Sequence, residues 1–407
     1  MSAELEIVRL GAAGDGEADG GVFVAFALPG ERVRGVVEGG RMAALEILRP
    51  SPERAPPPCR HFGACGGCAL QHASGHFLAG WKRDRIAEAL ARRGIEGVEI
   101  RETRTSPPRS RRRAVFAARR TKTGALAGFH GRRSGEIAAL EDCHLVAPPL
   151  LGALEAARGL ARIGGSRKGE LRVTATLSEG GLDLSVEGGK PLDPAFWGDL
   201  VALAEEADLA RLAWNGEIVA SRRPAFHRFG AALVEPPPGG FLQATREGEV
   251  ALLEAAREAL GPAKRIADLF AGSGAFALPL AEQAEVLAVE GETAMVAALD
   301  AGWRAAPGLK RVVARARDLF RRPLLAPELA ALDGAVIDPP RAGAAAQCEE
   351  LAKAGPERLA MLSCEPATFA RDARTLIDGG YQMDWVVPVD QFLWSGHVEL
   401  AAAFRRR

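Results

Sequence analysis

Short apolar runs separated by glycine-rich breaks mark the first fifty residues of the chain. The runs cover residues 5–8, 22–28 and 33–37, and a proline–glycine turn follows the second of them. Several short strands with turns between them are typical of a small closed β-barrel. The proline cluster at residues 56–58 predicts an extended linker, so we place a first domain boundary near residue 51.

Helical and strand periodicities both occur in the middle of the chain. Apolar residues at helical spacing among lysines and arginines predict one amphipathic helix over residues 81–93. Alternating apolar and polar positions over residues 170–187 and 210–234 predict strands. We therefore expect a central α+β domain, and the proline and glycine run at residues 236–240 places a second boundary near residue 240.

The remainder of the chain alternates between the two periodicities. A helix is predicted over residues 246–260. Five strands separated by helical stretches follow it, over residues 265–269, 286–290, 312–316, 334–338 and 359–363. Such alternation is typical of a parallel sheet in an α/β fold. The predicted domains are therefore 1–50, 51–240 and 241–407.

Composition narrows the classes of function. The chain is 47% hydrophobic and 26% charged, which is ordinary for a globular protein, and no apolar run is long enough to span a membrane. The first ten residues lack the basic start and apolar core of a signal peptide, so we expect a cytoplasmic protein. No pattern indicates an obligate protein partner.

Charge is balanced in total but not along the chain. Lysine plus arginine equals aspartate plus glutamate, at 52 each. Residues 101–133 nevertheless hold eleven basic residues against the single acid Glu102. Because basic side chains contact phosphates without reading sequence, this segment predicts binding to a nucleic acid backbone.

A glycine-rich turn and three acids suggest a nucleoside cofactor. The segment from Asp268 to Phe276 follows the first predicted strand of the α/β region, and it includes Phe270, Gly272 and Gly274. Such a turn alone is a weak signal, since NAD and FAD proteins use one too. Glu290 and Asp318 follow the next two strands, where carboxylates are suited to ribose hydroxyls and an adenine amino group. Each acid alone is equally compatible with a solvated helix cap.

A candidate nucleophilic cysteine and two candidate bases are expected at the same sheet edge. Asp338-Pro339-Pro340-Arg341 follows the fourth strand and Cys364 follows the fifth. Carbon 5 of uracil becomes nucleophilic only after a thiolate has added to carbon 6, and a base must later remove the carbon-5 proton. His397 and Glu399 are candidates for that base. A lone cysteine at a strand end is otherwise more often a small buried apolar residue.

At these motifs the chain resembles the family of tRNA and 23S rRNA uracil-5 methyltransferases. The family's methyl-donor motif is similar to residues 268–276, its DPPRxG loop to 338–343, and its SCNPxTxxRD motif to 363–372. Its C-terminal QF and HVE elements are similar to residues 391–392 and 397–399. The resemblance implies a Rossmann-like class I methyltransferase domain that uses S-adenosylmethionine.

The same resemblance implies roles for individual residues. Cys364 would be the nucleophile and Glu399 the base, and Gln243, in an element similar to the family's FxQxN, would contact the methyl donor. We further expect Asp338 to read the edge of an uridine flipped out of its stack. The chain departs from the family at Thr245 and at Glu365, where the family has asparagine. A carboxylate beside the nucleophile would raise the thiol pKa or change the contacts with uracil.

Four cysteines form a second candidate site. Cys59, Cys65 and Cys68 are spaced C-x5-C-x2-C, and Cys143 is a distant fourth sulfur. By spacing alone the set suits zinc somewhat better than iron–sulfur. Resemblance to the cluster-bearing members of the family implies instead a 4Fe-4S cluster. Radical enzymes use C-x3-C-x2-C, which this spacing does not match.

The resemblance also favours 23S rRNA as the substrate, because the cysteine set and the N-terminal barrel are similar to those of the rRNA enzymes. The barrel resembles an OB-like TRAM domain, although residues 1–50 carry eight acids and five bases. Three alternatives stay open: methylation of uridine in tRNA, methylation of amino groups by another class of enzyme, and an RNA-binding protein with a degenerate site. Arg341 and Cys364 argue against the second, and retention of Cys364 and Glu399 argues against the third.

Overall fold

The computed structural model describes residues 2–406, so Met1 and Arg407, where the first and third predicted domains begin and end, lie outside it. The strands are β1 Ser2–Leu10, β2 Gly16–Ala18, β3 Phe23–Val24, β4 Arg32–Glu38, β5 Arg41–Arg49, β6 Glu99–Ile100, β7 Arg104–Thr105, β8 Arg113–Arg120, β9 Ala125–His130, β10 Ile137–Ala139, β11 Leu171–Ser178, β12 Gly181–Glu187, β13 Arg211–Trp214, β14 Glu217–Ser221, β15 His227–Phe229, β16 Ala232–Val234, β17 Arg265–Leu269, β18 Glu285–Glu290, β19 Val312–Ala316, β20 Gly334–Ile337, β21 Arg358–Ser363, β22 Tyr381–Asp390 and β23 Glu399–Arg406. The helices are α1 Gly75–Ala91, α2 Gly152–Gly164, α3 Pro194–Glu206, α4 Arg246–Leu260, α5 Ala277–Leu280, α6 Thr293–Ala305, α7 Ala326–Leu329, α8 Ala345–Ala354 and α9 Pro366–Asp378, with a 3-10 turn at Pro148–Leu151.

The N-terminal strands form a closed barrel in the order β1-β2-β3-β5-β4, which confirms the predicted barrel. Alternate positions point inward, and Ile7, Val24 and Val33 are fully buried at its centre. Gly35 lets β4 and β5 approach closely, because a Cβ there would lie 2.5 Å from the Ala43 carbonyl oxygen. The barrel core is small, which is expected for so short a chain segment.

A seven-stranded sheet in the order β10-β9-β8-β11-β12-β13-β14 forms the middle of the molecule. Helices α2 and α3 pack against each other beside it, and Phe116, Phe196 and Trp214 are buried in the core between them. Helix α1 begins earlier than the sequence pattern indicates, because the Ser74 side chain caps it by accepting from Phe77 N at 3.2 Å.

The third sheet has the order β19-β18-β17-β20-β21-β23-β22-β6, with β7 also paired to β22. Strands β17 to β21 run parallel to one another, which confirms the predicted α/β fold, and β23 pairs antiparallel with β21 and β22. The chain order reverses beside β17, where β18 and β20 lie on either side of it. Ligands bind at such a switch point, outside the carboxyl ends of the strands.

The barrel is attached to the rest of the molecule by buried carboxylates. Asp15 is 1% exposed and pairs with Arg41 at 2.5 Å, with Arg133 at 2.9 Å and with Arg132. Glu31 pairs with Arg54 at 2.6 Å. Within residues 2–406, no helix combines the length and the apolar character that a bilayer crossing requires.

Candidate active site

A cavity of about 510 Å³ opens at the carboxyl edge of the third sheet. Sequence-predicted residues from seven different segments meet there, most of them because the ends of parallel strands share one edge. The lining residues are Phe241, Gln243, Phe270, Gly272, Glu290, Gly291, Glu292, Met295, Asp318, Leu319, Phe320, Asp338, Pro339, Pro340, Arg341, Cys364, Phe392, His397 and Glu399. Phe320 and Met295 had no recognisable signal in the sequence.

The glycine-rich turn after β17 positions the first acid of the cavity. Gly272 has a φ of +54° and donates from its backbone nitrogen to Glu290 Oε2 at 3.0 Å, while Glu292 N donates to Oε1 at 2.9 Å. Asp318 likewise accepts from Phe320 N at 2.9 Å. Both carboxylates are therefore held in place by backbone donors at the ends of neighbouring strands.

Two residues that were predicted to bind the methyl donor lie outside the cavity wall. Asp268 is fully buried beneath the turn, and neither of its carboxylate oxygens has a hydrogen-bond partner among the described residues. Burial and the nearby Asp338 raise the pKa of Asp268 to about 8. Gly274 packs inward, where a Cβ would lie 2.9 Å from Leu299 Cγ. Direct contact of these two residues with a donor stays a prediction.

Cys364 lies half-buried at the end of β21 and shares the cavity with Glu399 and Asp338. Burial, helped by the charges of Glu399 and Asp338, raises the pKa of the Cys364 thiol to about 11. Burial raises the pKa of Asp338 to about 7, and burial together with Asp338 raises that of Glu399 to about 8. The cavity thus concentrates negative charge that Arg341 offsets only in part.

Two glutamines link the acids to the start of α4. Gln391 Nε2 donates to Gln243 Oε1 at 2.6 Å, and Gln243 Nε2 donates to Asp338 Oδ2 at 3.3 Å. Gln391 also donates to Glu399, whose pKa this bond lowers against the larger effect of burial. The amide of Thr245 donates to Gln391 Oε1 at 3.3 Å. The orientation of Asp338 and Glu399 therefore depends on Gln391, whose role was not apparent from the sequence.

Both departures from the family motifs have structural roles. Thr245 is the N-cap of α4 and accepts from Gly248 N at 3.0 Å. Glu365 is the N-cap of α9, and its side chain lines a cleft between the barrel, α1 and α9, outside the active cavity. The charges that act on the Cys364 thiol are those of Glu399, Asp338 and Arg341. Glu365 is not among these charges, although its charge acts to raise the pKa of His397, a residue of the cavity wall, against the larger effect of burial. Its effect on the thiol or on the contacts with uracil stays a prediction.

The loop after β20 is fastened to the helix that follows Cys364. The buried Asp372 accepts from Ala344 N at 2.6 Å and from Arg371 Nε at 2.7 Å. Arg371 Nη2 donates to the Ala342 carbonyl at 3.0 Å, and Thr368 Oγ1 donates to that of Arg341 at 3.1 Å. The RD pair of the nucleophile motif thus fixes the loop that carries Asp338 relative to Cys364.

The four predicted metal ligands come together at a separate place. Cys59, Cys65, Cys68 and Cys143 line one small cavity between the cysteine segment and the central sheet. Gly67 N donates to Cys65 Sγ and Leu145 N to Cys143 Sγ, each at 3.4 Å. Within residues 2–406, however, no group of three or more histidine, cysteine, aspartate or glutamate side chains stands close enough to hold a metal ion.

Most of the basic segment is engaged within the protein. Seven of its arginines form ion pairs with carboxylates: Arg101, Arg104, Arg109, Arg112, Arg119, Arg132 and Arg133. Arg111 and Arg113 are partly buried without a carboxylate partner. Among the described residues, Arg120 and Lys122 of this segment are exposed and have no ion-pair partner. The local excess of positive charge is therefore a weaker indication of phosphate binding than the sequence suggested.

Comparison with known proteins gives consistent results. Residues 237–407 match the family model described as tRNA (uracil-5-)-methyltransferase. An RNA methyltransferase of Brucella suis is 44% identical over 408 residues, covering 100% of this chain and 98% of the relative. The 23S rRNA (uracil(1939)-C(5))-methyltransferase RlmD of Halomonas elongata is 36% identical, covering 97% and 88%. The fold is that of the Pyrococcus abyssi tRNA (uracil-54, C5)-methyltransferase complexed with S-adenosyl-L-homocysteine, with a TM-score of 0.75 at 22% identity and 99% and 100% coverage.

Proposed function

Because the chain belongs to the RNA uracil-5 methyltransferase family, which uses S-adenosylmethionine, we propose that it forms 5-methyluridine in 23S rRNA with Cys364 as covalent nucleophile. The observation that carries the mechanism is the meeting of Cys364, Glu399 and Asp338 in one cavity. The choice of 23S rRNA follows the name of the Halomonas relative.

The charge of the cavity suits this donor. When bound, S-adenosylmethionine supplies an electrophilic methyl group on a positively charged sulfonium. Glu290, Asp318 and Asp338 line the cavity, and the charge of Asp338 adds to the larger effect of burial in raising the pKa of Glu399. We assign Gln243, Phe270, Gly272, Glu290, Asp318 and Asp338 to donor contacts, with Asp268 and Gly274 supporting the turn from beneath.

The chain's own residues then account for each step on the uracil ring. The Cys364 thiolate adds to carbon 6, which places an enolate across carbon 5 and the adjoining carbonyl, and carbon 5 takes the methyl group. The Glu399 carboxylate removes the carbon-5 proton, and the electrons of that bond restore the ring double bond as the carbon–sulfur bond breaks. Asp338 is held by Gln243 through one oxygen, which leaves the other for the pyrimidine edge.

Covalent trapping tests this assignment. A 23S rRNA fragment carrying 5-fluorouridine has no carbon-5 proton to remove, so the adduct should persist in denaturing gels when the methyl donor is present. Cys364→Ala should give none. Absence of an adduct with the wild-type protein, or an undiminished adduct with Cys364→Ala, would refute Cys364 as nucleophile.

The RNA substrate is tested separately. Transfer of labelled methyl groups should occur to 23S rRNA transcripts and not to tRNA transcripts, with 5-methyluridine identified by mass spectrometry of the digested RNA. Preferential labelling of tRNA would overturn the choice of 23S rRNA and leave the chemistry intact.

At the second site we assign Cys59, Cys65, Cys68 and Cys143 as ligands of a 4Fe-4S cluster. Convergence of four thiols on one cavity, with backbone amides donating to two of the sulfurs, suits a thiolate-bound centre. Four protein ligands leave no iron open to substrate, so these residues would serve folding or RNA docking. Anaerobic purification with metal analysis and visible absorption tests this. One equivalent of zinc without iron would contradict it.

A further inference from the structure

A partly buried arginine lies between the four-cysteine site and the active cavity. Arg111 stacks its guanidinium over the ring of Phe392 at 5.5 Å from the ring centroid. Phe392 is one of the residues that line the active cavity. On its other side, Arg111 is joined to the cysteine site through the backbone, since Arg111 N donates to the Leu145 carbonyl at 3.1 Å and Leu145 N donates to Cys143 Sγ at 3.4 Å. Burial lowers the pKa of Arg111, and the sulfurs of Cys68 and Cys143 act against that effect. Arg111 therefore links the wall of one site to the ligand set of the other.

The charge of Arg111 has no carboxylate to balance it. Its neighbours are paired, Arg109 with Asp142 at 3.1 Å and Arg112 with Glu249 at 2.5 Å. Within residues 2–406, Arg111 forms no ion pair, and its Nε donates to the backbone carbonyl of Arg113 at 2.9 Å. A buried cation without an anion is costly. The sulfurs of Cys68 and Cys143 are the groups whose negative charge would favour the Arg111 cation, and they carry that charge when they are thiolate ligands.

The cysteine segment also holds the loop that carries Phe392. Ala69 N and Leu70 N, which directly follow Cys68, both donate to the Trp394 carbonyl, at 2.8 and 3.0 Å. Trp394 has a φ of +62°, so these bonds hold it in a conformation unusual for a non-glycine residue. Leu393 and Trp394 pack in the same apolar cluster as Cys65, Cys68 and Cys143.

The same loop leads directly to the residues that act on substrate. His397 packs edge-on against Phe392 with 5.8 Å between ring centroids, and it lies within 3.0 Å of Arg341 Nη2. Glu399 is two residues further along, at the start of β23. A displacement of Phe392 would therefore be transmitted to the side of the cavity that receives the uridine.

We propose that Arg111 is a positioning residue, which serves as counter-charge to the thiolate centre and holds Phe392 in place for substrate binding. This role rests on the metal centre proposed above. Arg111 does not touch the reacting atoms, so its effect should appear in the KM for RNA and in the stability of the centre, and not in the affinity for the methyl donor.

Three variants test the proposal on the holoprotein purified anaerobically. Arg111→Met removes the charge and the planar contact, Arg111→Lys keeps the charge alone, and Arg104→Met is the matched control, since Arg104 lies on the same segment but pairs with Glu254 at 2.7 Å. Arg111→Met should lose iron to a chelator several-fold faster than wild type, and Arg111→Lys should restore the wild-type rate. Arg111→Met should raise the KM for RNA roughly two- to thirtyfold, the range of a cation–π contact. Arg111→Lys should raise it less, because an ammonium group also attracts an aromatic ring. The Kd for S-adenosylmethionine should be unchanged in both variants.

Melting temperatures of all variants separate this role from a general loss of folding. If Arg111→Met and Arg104→Met lose iron to the chelator at the same rate and have the same KM for RNA, the proposal is overturned. Equal effects on the KM for RNA and the Kd for the donor would also overturn it, because they indicate a collapsed cavity. Wild-type protein without bound metal would refute the metal centre and, with it, the counter-charge role. Failure of the covalent trapping experiment would leave the rates of iron loss unaffected, because they do not depend on turnover.

Discussion

At the scale of single residues, the cavity poses an electrostatic conflict that the reaction must resolve. Cys364 must lose a proton close to two carboxylates, which favour the neutral thiol. The positive donor and Arg341 oppose that effect. The cavity is therefore poorly suited to a thiolate until the methyl donor has bound. In the free protein Cys364 would stay a neutral thiol, which is less readily oxidised than a thiolate.

Replacement of Glu399 by glutamine should separate addition from release. The amide cannot remove the carbon-5 proton, so the methylated adduct should accumulate with ordinary uridine RNA, and turnover should fall by about 10²–10⁴. Denaturing gels with labelled donor measure the adduct, and multiple-turnover assays measure the rate. Glu350→Gln is the control, since that carboxylate pairs with Lys353 on α8 and does not line the cavity, and it should remain close to wild type. Full turnover by Glu399→Gln would remove Glu399 from the mechanism.

Donor affinity should rise with pH. The pKa values of Asp338 and Glu399 lie near 7 and 8, above their ordinary values, so both groups are largely neutral at pH 6 and charged at pH 9. Because the pKa values of these two carboxyl groups are higher in the folded than in the unfolded protein, the free protein loses stability as the pH rises toward 8. Over the same pH range the two groups become charged, so their attraction for the cationic sulfonium grows. Calorimetric titration at pH 6 to 9 measures this. S-adenosylhomocysteine, which lacks the sulfonium charge, should show a smaller rise, and an equal pH dependence for the two ligands would exclude this origin.

At the scale of elements, the DPPRxG loop and α9 behave as one unit. Gly343 has a φ of +78°, which favours glycine. It also lies against Arg371 and Asp372, which leave no room for a Cβ. The glycine of the motif is explained by this approach of the loop to α9. Its effect on the reaction is through Asp338, at the other end of the loop.

Gly343→Ala should therefore displace the loop. We expect a loss of about 1–3 kcal/mol in the free energy of unfolding, together with a fall in the rate of adduct formation. Gly308→Ala is a matched control, because Gly308 has the same φ of +78° but nothing within 4 Å of a Cβ. Urea unfolding and gel-based adduct assays distinguish the two. Equal losses in both variants would show that backbone strain alone, and not the contact with α9, accounts for the effect.

The elements that could be predicted are those with strong local signals. The helix over residues 246–260 matches α4, and the five strands of the α/β region lie within a residue of their predicted bounds. Strands β6 and β7 were not apparent, because two-residue strands have no periodicity and exist only through pairing with β22. The same applies to the site: motifs located Cys364 and Glu399, whereas the bonds of Gln391 to Gln243 and Thr245 join residues distant in sequence.

At the scale of the whole molecule, the basic segment serves mainly to join parts of the protein. Arg101 and Arg104 pair with Glu258 and Glu254 on α4, and Arg132 and Arg133 pair with Asp15 of the barrel. Charge counted along the sequence therefore overestimates the charge that is available to RNA.

The salt dependence of RNA binding measures this difference. Each phosphate contact with single-stranded RNA contributes about 0.7 to the slope of log K against log salt. The double change Arg120→Gln and Lys122→Gln should reduce the slope by about 1.4, for two contacts. Arg101→Gln with Arg104→Gln should leave the slope unchanged, because these side chains are already paired. A larger reduction from the second pair would show that the ion pairs open when RNA binds.

The order of synthesis determines when β6 and β7 can pair with β22. Residues 99–105 leave the ribosome well before residues 381–390, to which they must pair. The interval from residue 105 to residue 381 is 276 residues, or roughly 14–55 s at about 5–20 residues per second. During that time the barrel and the seven-stranded sheet can form, but the edge of the last sheet cannot. The nascent chain must carry this short segment unpaired, exposed to chaperones and proteases, until the C-terminal hairpin of β22 and β23 emerges.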